Sequence, residues 1–323
     1  MFTKRSIITY VIAFLFILTL NFFLPRMMPG DPLMAIYGNE ALIAMTPELK
    51  AHLIERFALD QPLWQQFGAY LLALVQGDLG YSYYYNAPVS SIVLGRLPWT
   101  LLLVGTALII STLLGIVLGI ESGWRRGSRR DKSLLTVLMT VSGFPDFFLG
   151  ILLLIGFGVT WGIFPLSGAI TPYSGLSGAA LVLDVLHHLF LPLTALILCH
   201  IGASYLLTRN TMVTVLKNPY ILMAKAKGLP DRAVRYKHAG RNALLPVTTQ
   251  TGIQLGQMVT GAIFIEIIFA YPGLGYLTYE ALLARDYPII QGVLLIVAVS
   301  VLIANFLVDL SYSKLDPRIR YAH

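Results

Sequence analysis

Three glutamines recur at helical spacing in a segment that is otherwise apolar. Gln250, Gln254 and Gln257, followed by Gly261, fall at i, i+4, i+7 and i+11, which places them on one face of a helix. Amide side chains donate and accept hydrogen bonds, and inside a membrane such groups generally face the protein interior or a water-filled path. The spacing therefore favours a polar translocation path, with hydrogen bonding between packed helices as the alternative.

The sequence contains no motif that indicates catalysis or nucleotide binding by this chain itself. It lacks a phosphate-binding loop, an HExxH motif and a GxSxG motif. The adjacent His187 and His188 would point in different directions on a helix, which is a poor arrangement for binding one metal ion. The single cysteine, Cys199, cannot form an internal disulfide. We expect no catalytic residue, no metal ligand and no cofactor in this chain.

The composition is typical of a membrane protein. Of the 323 residues, 56% are hydrophobic and 12% are charged, whereas a soluble domain has about 25% charged residues. Six segments are apolar enough and long enough to cross a bilayer. They comprise residues 7–24, 99–120, 133–160 (interrupted at Pro145 and Asp146), 185–208, 247–270 and 288–312. The first is longer than the apolar region of a signal peptide and no small-residue cleavage pattern follows, so we interpret it as an uncleaved span.

The distribution of Lys and Arg predicts the orientation of these spans. Eighteen of the 23 basic residues lie in the N-terminus, the loop 121–132, the loop 209–246 and the C-terminal tail. Cytoplasmic loops are enriched in Lys and Arg. The pattern therefore predicts both termini in the cytoplasm, and it explains the net charge of +7 without a nucleic-acid partner.

The first predicted external segment, residues 25–98, is too long for a simple connection. Thr46, Pro47 and Glu48 form a typical helix start, with Thr46 as the N-cap. Residues 63–75 are predicted to form a second helix. We therefore expect a small helical cap on the outer face. In the core, Gly115, Gly119 and Gly123 form a small-xxx-small pattern that favours close helix packing, and Glu266 is expected to make a helix or subunit contact rather than to line the path.

The most basic stretch, residues 224–246, interrupts the apolar pattern on the predicted cytoplasmic side. Gly228 is a predicted helix stop, and Pro230 with Asp231 begins a new helix. One interpretation is an amphipathic segment that binds lipid headgroups. Small residues such as Ala224 and Ala226 lie among the charges, however, whereas a lipid-surface helix favours Trp, Phe and Leu. The stretch therefore favours a docking site for another protein.

This basic stretch resembles the "EAA" loop of the permease subunits of ABC importers, and the chain is similar to the dipeptide/oligopeptide/nickel permease family over nearly its whole length. Each matching segment is short, but together they occur in the expected order. These segments are residues 29–32 (PGDP), 59–62 (LDQP), 77–82 (GDLGYS), 220–246 around AKAKGL and HAGRNALLP, 269–275 (FAYPGLG), 285–288 (RDYP) and 315–320 (LDPRIR).

The resemblance implies an all-α membrane protein with six transmembrane helices and the type I ABC importer permease fold. Its implied parts are an N-terminal transmembrane helix at 1–24, the extracytoplasmic cap at 25–98 and a core permease domain at 99–323 with a coupling loop at 209–246. The implied partners in the cytoplasmic (inner) membrane are a second, homologous permease subunit, two ATP-binding subunits that bind ATP and Mg, and an extracytoplasmic substrate-binding protein.

The resemblance also implies which residues contact an ATPase subunit. According to this resemblance, the docking residues of the coupling loop are Tyr220, Ala224, Lys225, Ala226, Gly228, Leu229, His238 and Arg241. The implied substrates are short peptides, with nickel or a metal complex as the alternative. A self-contained channel or secondary transporter is a further alternative, but it would have no need of a cytoplasmic docking helix and would usually contain internal repeats or broken helices with midplane charges.

Overall fold

The computed structural model describes residues 4–26, 33, 39–56, 61–82 and 84–315, and helices dominate it. The longer helices are Lys4–Arg26, Pro47–Arg56, Leu63–Val75, Val89–Trp124, Arg129–Val141, Asp146–Leu153, Gly178–Val215, Pro219–Ala226, Leu245–Ile268, Leu274–Leu283 and Tyr287–Leu315. Shorter helical segments are Asn39–Ala44, Leu154–Thr160, Asp231–Ala233, Val234–Gly240 and Arg241–Ala243, of which the second and fourth are π-helical. The helical class expected from the sequence is confirmed.

One small hairpin departs from the all-α expectation. Strand β1 (Tyr81–Ser82) pairs antiparallel with strand β2 (Ala87–Pro88). Asn86 adopts a left-handed backbone with φ 50°, a conformation that Asn tolerates better than most residues. The Tyr81 hydroxyl donates to its side-chain oxygen at 2.6 Å. A pair of strands this short leaves no alternating hydrophobic pattern in the sequence, which is why it was not predicted.

The long apolar helices agree with a membrane protein. Among the described residues, three helices are long and apolar enough to cross a membrane, within Val89–Trp124, Gly178–Val215 and Tyr287–Phe306. The number rises to five if each of two bent helix pairs is counted as one span. The helix Lys4–Arg26 contains a further, shorter apolar stretch at Ile8–Phe23. The count of six spans therefore stays a prediction.

The predicted third span is sharply bent at its interruption. The helix Arg129–Val141 ends before Pro145, and the helix that begins at Asp146 leaves at 96°. Proline disfavours the helical conformation in the residue before it, so the chain turns there. The bend places the Asp146 carboxylate in the first turn of the new helix, inside an otherwise apolar region.

The helix Val89–Trp124 begins ten residues before the predicted second span and contains Pro98. A proline within a helix removes one backbone hydrogen bond and commonly kinks the helix. Packing supports the preceding turns, because Val89 and Val93 are fully buried against Leu274 and Leu277. A propensity argument alone would have ended the helix at the proline.

The chain divides into two compact units. Within the described residues, one unit consists of 100–271 and 304–315, and the other consists of the residues before 100 together with 272–303. In the first unit, Gly115 would bring an added Cβ within 2.7 Å of Ser204 Cβ, and Gly119 would bring one within 2.6 Å of Thr208 Cβ. Real Cβ atoms do not approach so closely, so these glycines allow the helices Val89–Trp124 and Gly178–Val215 to pack, as the pattern predicted.

Also in the first unit, Glu266 is fully buried and accepts a hydrogen bond of 2.7 Å from the Thr100 hydroxyl. A buried carboxylate needs such a partner. The prediction of a helix contact at this position is therefore confirmed.

The second unit contains the helices predicted within residues 25–98. The Leu49 N–H donates to Thr46 Oγ1 at 3.3 Å, so Thr46 caps the helix Pro47–Arg56 as predicted. The helix Leu63–Val75 matches its predicted bounds. Leu33 and Leu53 are buried in a small apolar cluster of this unit. The start at Pro47 was predictable because capping depends on only a few neighbouring residues.

A buried carboxylate organises another part of the second unit. Asp286 accepts hydrogen bonds from the Ser82 hydroxyl and, at 3.3 Å, from the Ile289 N–H. The Tyr85 N–H donates to Ser82 Oγ at 3.0 Å. Burial raises the pKa of the Asp286 carboxyl, and its hydrogen bonds offset only part of that effect.

Candidate functional site

The basic loop, residues 209–246, forms two helical arms joined at a glycine corner. The helix Pro219–Ala226 ends before Gly228, whose φ is +74°. The Gly228 N–H donates to Lys225 O at 2.9 Å and the Leu229 N–H to Ala224 O at 3.3 Å, which satisfies the carbonyls at the helix end. The second arm begins at Asp231 and runs through the π-helical turn Val234–Gly240. The predicted stop and restart are confirmed.

The inner face of this loop packs on the protein's own helices. Ile221 and Val234 are fully buried, and Ala224 is 6% exposed. They share a cluster with Ile120 and Met212. The small side chain of Ala224 therefore serves packing within the chain in this structure, and a partner would contact the opposite face of the helix.

Charged groups fix the same loop to the end of the helix Val89–Trp124. Lys225 Nζ and Arg235 Cζ each lie 5.0 Å from the ring centroid of Trp124, a distance at which the ring attracts cations. Arg235 Nη1 donates to both Glu121 carboxylate oxygens, at 2.7 and 2.9 Å. Tyr236 donates to Glu121 Oε1 at 2.6 Å. This bond raises the pKa of the Tyr236 hydroxyl, because loss of its proton would place a second negative charge beside the carboxylate.

The first residues of the loop are tied down by a second ion pair. Arg209 Nε and Nη2 donate to the two oxygens of Asp131 at 2.6 and 2.8 Å. Asp131, whose side chain is 2% exposed, also accepts from the Ser122 hydroxyl and from the Gly127 N–H. The two-pronged Arg–carboxylate geometry is a strong and directional contact. The loop therefore starts from a rigid base.

The outer face of the loop is exposed and partly apolar. Leu222 and Met223 are 63% and 60% exposed, and Tyr220 and Leu229 are exposed as well. The residues Lys225, Ala226, Lys227 and Gly228 are all exposed at the corner. A rigid projection with an apolar face and a basic edge can be inserted into a groove of another protein.

The remaining two predicted docking residues lie on the second arm. His238 is half-buried and Arg241 is exposed. Asn242 Nδ2 donates to the Tyr220 hydroxyl at 2.7 Å and to His238 O at 3.2 Å. This bridge connects the two arms, so the predicted docking residues belong to one structural element even though Ala224 faces inward.

The central glutamine of the predicted row takes part in a contact between two helices. Gln254 is fully buried, its Nε2 donates to His200 O at 2.8 Å, and its Oε1 accepts from Ser204 Oγ at 2.9 Å. This is the alternative that the sequence left open, interhelical hydrogen bonding. Gln250 is half-buried, and the side chain of Gln257 lies outside the described residues.

A cavity of about 750 Å³ lies where the bent helix beginning at Asp146 meets the helix Leu245–Ile268. Its walls include Phe147, Ile151 and Phe264, and Asp146 and Gly261 also line it. His200 Nε2 lies 3.3 Å from Asp146 Oδ1. The sequence analysis noted Asp146 only as an interruption of an apolar run. It missed His200, since the two residues are 54 positions apart and no local pattern links them.

The adjacent histidines do not converge. His187 Nε2 lies 2.9 Å from Ile163 O, and His188 Nδ1 lies 2.9 Å from Asp184 O. Within the described ranges, no group of three or more His, Cys, Asp or Glu side chains is close enough to hold a metal ion.

Two family models together cover nearly the whole chain. Residues 111–321 match the model described as binding-protein-dependent transport system inner membrane component. Residues 1–104 match the N-terminal model of the same kind of membrane component. The chain belongs to this permease family. Its members are subunits of ABC importers and not enzymes.

Curated relatives align with this permease from end to end. It is 35% identical over 337 residues to the dipeptide transport system permease protein DppB of Escherichia coli (strain K12), covering 99% of this chain and 98% of the relative. It is 34% identical over 334 residues, with the same coverage, to the di/tripeptide transport system permease protein DppB of Pseudomonas aeruginosa (strain UCBPP-PA14). A putative peptide transport system permease protein of Brucella abortus (strain 2308) is 37% identical over 307 residues, covering 95% of each chain.

Proposed function

We propose that this permease forms part of the translocation path of an ATP-driven importer for short peptides in the cytoplasmic membrane. The three relatives support the substrate class, since each is named as a permease of a peptide transport system. The distribution of Lys and Arg supports six spans with both termini and the basic loop on the cytoplasmic side.

The basic loop is the coupling element, and its geometry is the observation that carries this proposal. Its inner face is fixed by the buried cluster around Ile221 and by the contacts of Arg235 with Trp124 and Glu121. Its outer face presents Leu222 and Met223. A loop that is rigid on one side and exposed on the other can transmit movement of an attached ATPase to the spans.

The assembled transporter contains partners that supply what this chain lacks. Two ATP-binding subunits bind ATP and Mg and dock on the coupling loop. A second, homologous permease completes the path, and a substrate-binding protein delivers the peptide on the outer side. Residues 25–98 form the extracytoplasmic cap, which contributes to the docking surface for that binding protein.

The path runs beside the amide-bearing face of the helix Leu245–Ile268. Gln250 and Gln257 remain path candidates. Gln254 fixes this face against Ser204 and the His200 carbonyl in the present conformation. Rocking of the two helices would exchange these bonds and expose the amides in another state.

Transport by the reconstituted complex tests the proposal. Proteoliposomes that contain both permeases and both ATP-binding subunits are supplied with the loaded binding protein and radiolabelled alanyl-alanine. We expect uptake that requires hydrolysable ATP and the binding protein, and none with a non-hydrolysable ATP analogue. Uptake of Ni²⁺ without uptake of peptide would contradict the substrate class, and uptake driven by an ion gradient without ATP would contradict the transport mechanism.

A further inference from the structure

The cavity beside Asp146 combines apolar walls with a single carboxylate. Its volume of about 750 Å³ lies within the range of small-molecule sites. Phe147, Ile151 and Phe264 provide apolar surface, whereas Asp146 is the acidic residue that lines it. Such a composition fits a small ligand with one positive charge and apolar substituents.

The Asp146 carboxylate packs against the helix Leu245–Ile268 at a glycine. A Cβ added to Gly261 would overlap Asp146 Oδ2, so only glycine leaves space for that oxygen. Gly261 continues the face that carries Gln250, Gln254 and Gln257. The carboxylate therefore lies against the helix face that the sequence associates with the path.

The other oxygen of Asp146 faces a histidine that does not fully satisfy it. His200 Nε2 is 3.3 Å from Asp146 Oδ1, yet this buried nitrogen makes no hydrogen bond of acceptable geometry to the described residues. The Asp146 side chain is 19% exposed. It thus retains access to the cavity and capacity to accept a further donor.

An acidic side chain within the membrane-embedded part of a protein rarely faces lipid. Such residues are costly there and generally face a partner or a water-filled pathway. An ionised carboxylate in apolar surroundings is strongly unfavourable unless it is paired, and the imidazole of His200 and the weakly polar thiol of Cys199 lie beside Asp146. A cationic ligand that enters the cavity would give this carboxylate a partner that carries a full positive charge.

We propose that Asp146 binds an ammonium group of the substrate during translocation, while the apolar walls of the cavity receive the apolar side chains of the peptide. This inference rests on the proposed function and adds a residue that determines specificity. The ammonium group belongs either to the peptide N-terminus or to a lysine side chain, since the chemistry recognised is the same.

The charge of the cavity can be measured without knowing the substrate. In the assembled transporter with Cys199→Ala, the variant Phe264→Cys places a thiol in the cavity wall. The rates of modification by a trimethylammonium-bearing and a sulfonate-bearing methanethiosulfonate are compared, with and without ATP. The matched control is Ile253→Cys, which is similarly exposed and lies about three turns away on the same helix face.

We expect the thiol at position 264 to favour the cationic reagent. Asp146→Asn should lower the cation-to-anion ratio of rates at 264 by about tenfold, which corresponds to roughly 1.4 kcal/mol, and leave the ratio at 253 unchanged. Asp146→Glu should retain the preference. An unchanged ratio in Asp146→Asn would overturn the proposal, as would a thiol at 264 that is unreactive in every state.

Uptake measurements test whether the Asp146 carboxylate acts on the transported peptide. With saturating loaded binding protein, Asp146→Asn should reduce uptake of at least one of alanyl-alanine and alanyl-lysine about tenfold or more, while Asp146→Glu restores most of it. Loss with alanyl-alanine points to the N-terminal ammonium, and loss confined to alanyl-lysine points to the side chain. Equal uptake of both peptides by Asp146→Asn and wild type would overturn the inference. Absence of peptide uptake by the wild type would instead contradict the proposed function.

Discussion

Replacing Gly228 separates the role of the corner in folding from its role in coupling. A Cβ built on Gly228 would meet no atom of the described residues within 4 Å, so the chain itself has room for a larger side chain. The intramolecular cost comes from the backbone, whose φ is +74°. For an L-residue this left-handed conformation costs about 1–2 kcal/mol, partly offset by about 0.4–1 kcal/mol from a less flexible unfolded chain. The net cost is about 1 kcal/mol.

Gly228→Ala and Gly228→Trp incur the same backbone cost but differ in bulk. We therefore expect both variants to insert into the membrane and to unfold at similar temperatures. Gly228→Ala should retain most of its affinity for the ATP-binding subunit. Gly228→Trp should lose at least about tenfold, or roughly 1.4 kcal/mol, because the indole would prevent the corner from entering the ATPase groove.

Two measurements on these variants check this prediction. The first is the dissociation constant of the ATP-binding subunit from the permease pair in detergent. The second is the ratio of peptide taken up to ATP hydrolysed in proteoliposomes. If Gly228→Trp bound and transported as well as Gly228→Ala, the corner would not lie in the contact and the coupling role would be refuted.

Three further predictions concern stability and are checked by thermal or denaturant unfolding of the purified permease. Arg209→Met should lower the free energy of unfolding by about 3–5 kcal/mol, because the buried carboxylate of Asp131 loses its charged partner. The double variant Arg209→Met with Asp131→Asn should be less destabilised. Equal destabilisation of the single and double variants would argue against the ion pair. Gly119→Ala should cost about 1–3 kcal/mol by overpacking, whereas Gly105→Ala, whose Cβ would meet no described atom within 4 Å, should be neutral or stabilising. Burial raises the pKa of Asp286 in the folded state, so the unfolded chain loses this proton first as the pH rises above about 4. The wild type should therefore lose stability relative to Asp286→Asn between acid and neutral pH. Parallel profiles of stability against pH for the two proteins would contradict this.

The sequence predicted those features that depend on neighbouring residues. Thr46 caps a helix and Gly228 ends one because both roles need only a few adjacent backbone groups. The packing role of Gly115 and Gly119 was also evident, since residues four positions apart share a helix face.

Features that depend on distant contacts were harder to predict. Ala224 looked available to a partner, but Ile120 and Met212 decide which face of its helix is buried. Gln254 lies in a helix contact because its side-chain oxygen accepts a hydrogen bond from Ser204, which is 50 positions away in the sequence. The segment before Pro98 is helical because a separate apolar cluster supports it, and a local rule could not reveal that.

Photo-crosslinking from the outer face of the basic loop tests the account most directly. A benzoylphenylalanine replaces Met223 in the assembled transporter, and Tyr84, which is also exposed but belongs to the predicted outer segment, serves as the control position. We predict an adduct with the ATP-binding subunit from position 223 and none from position 84. Adducts from both positions, or none from 223 in any nucleotide state, would contradict the coupling role of the loop.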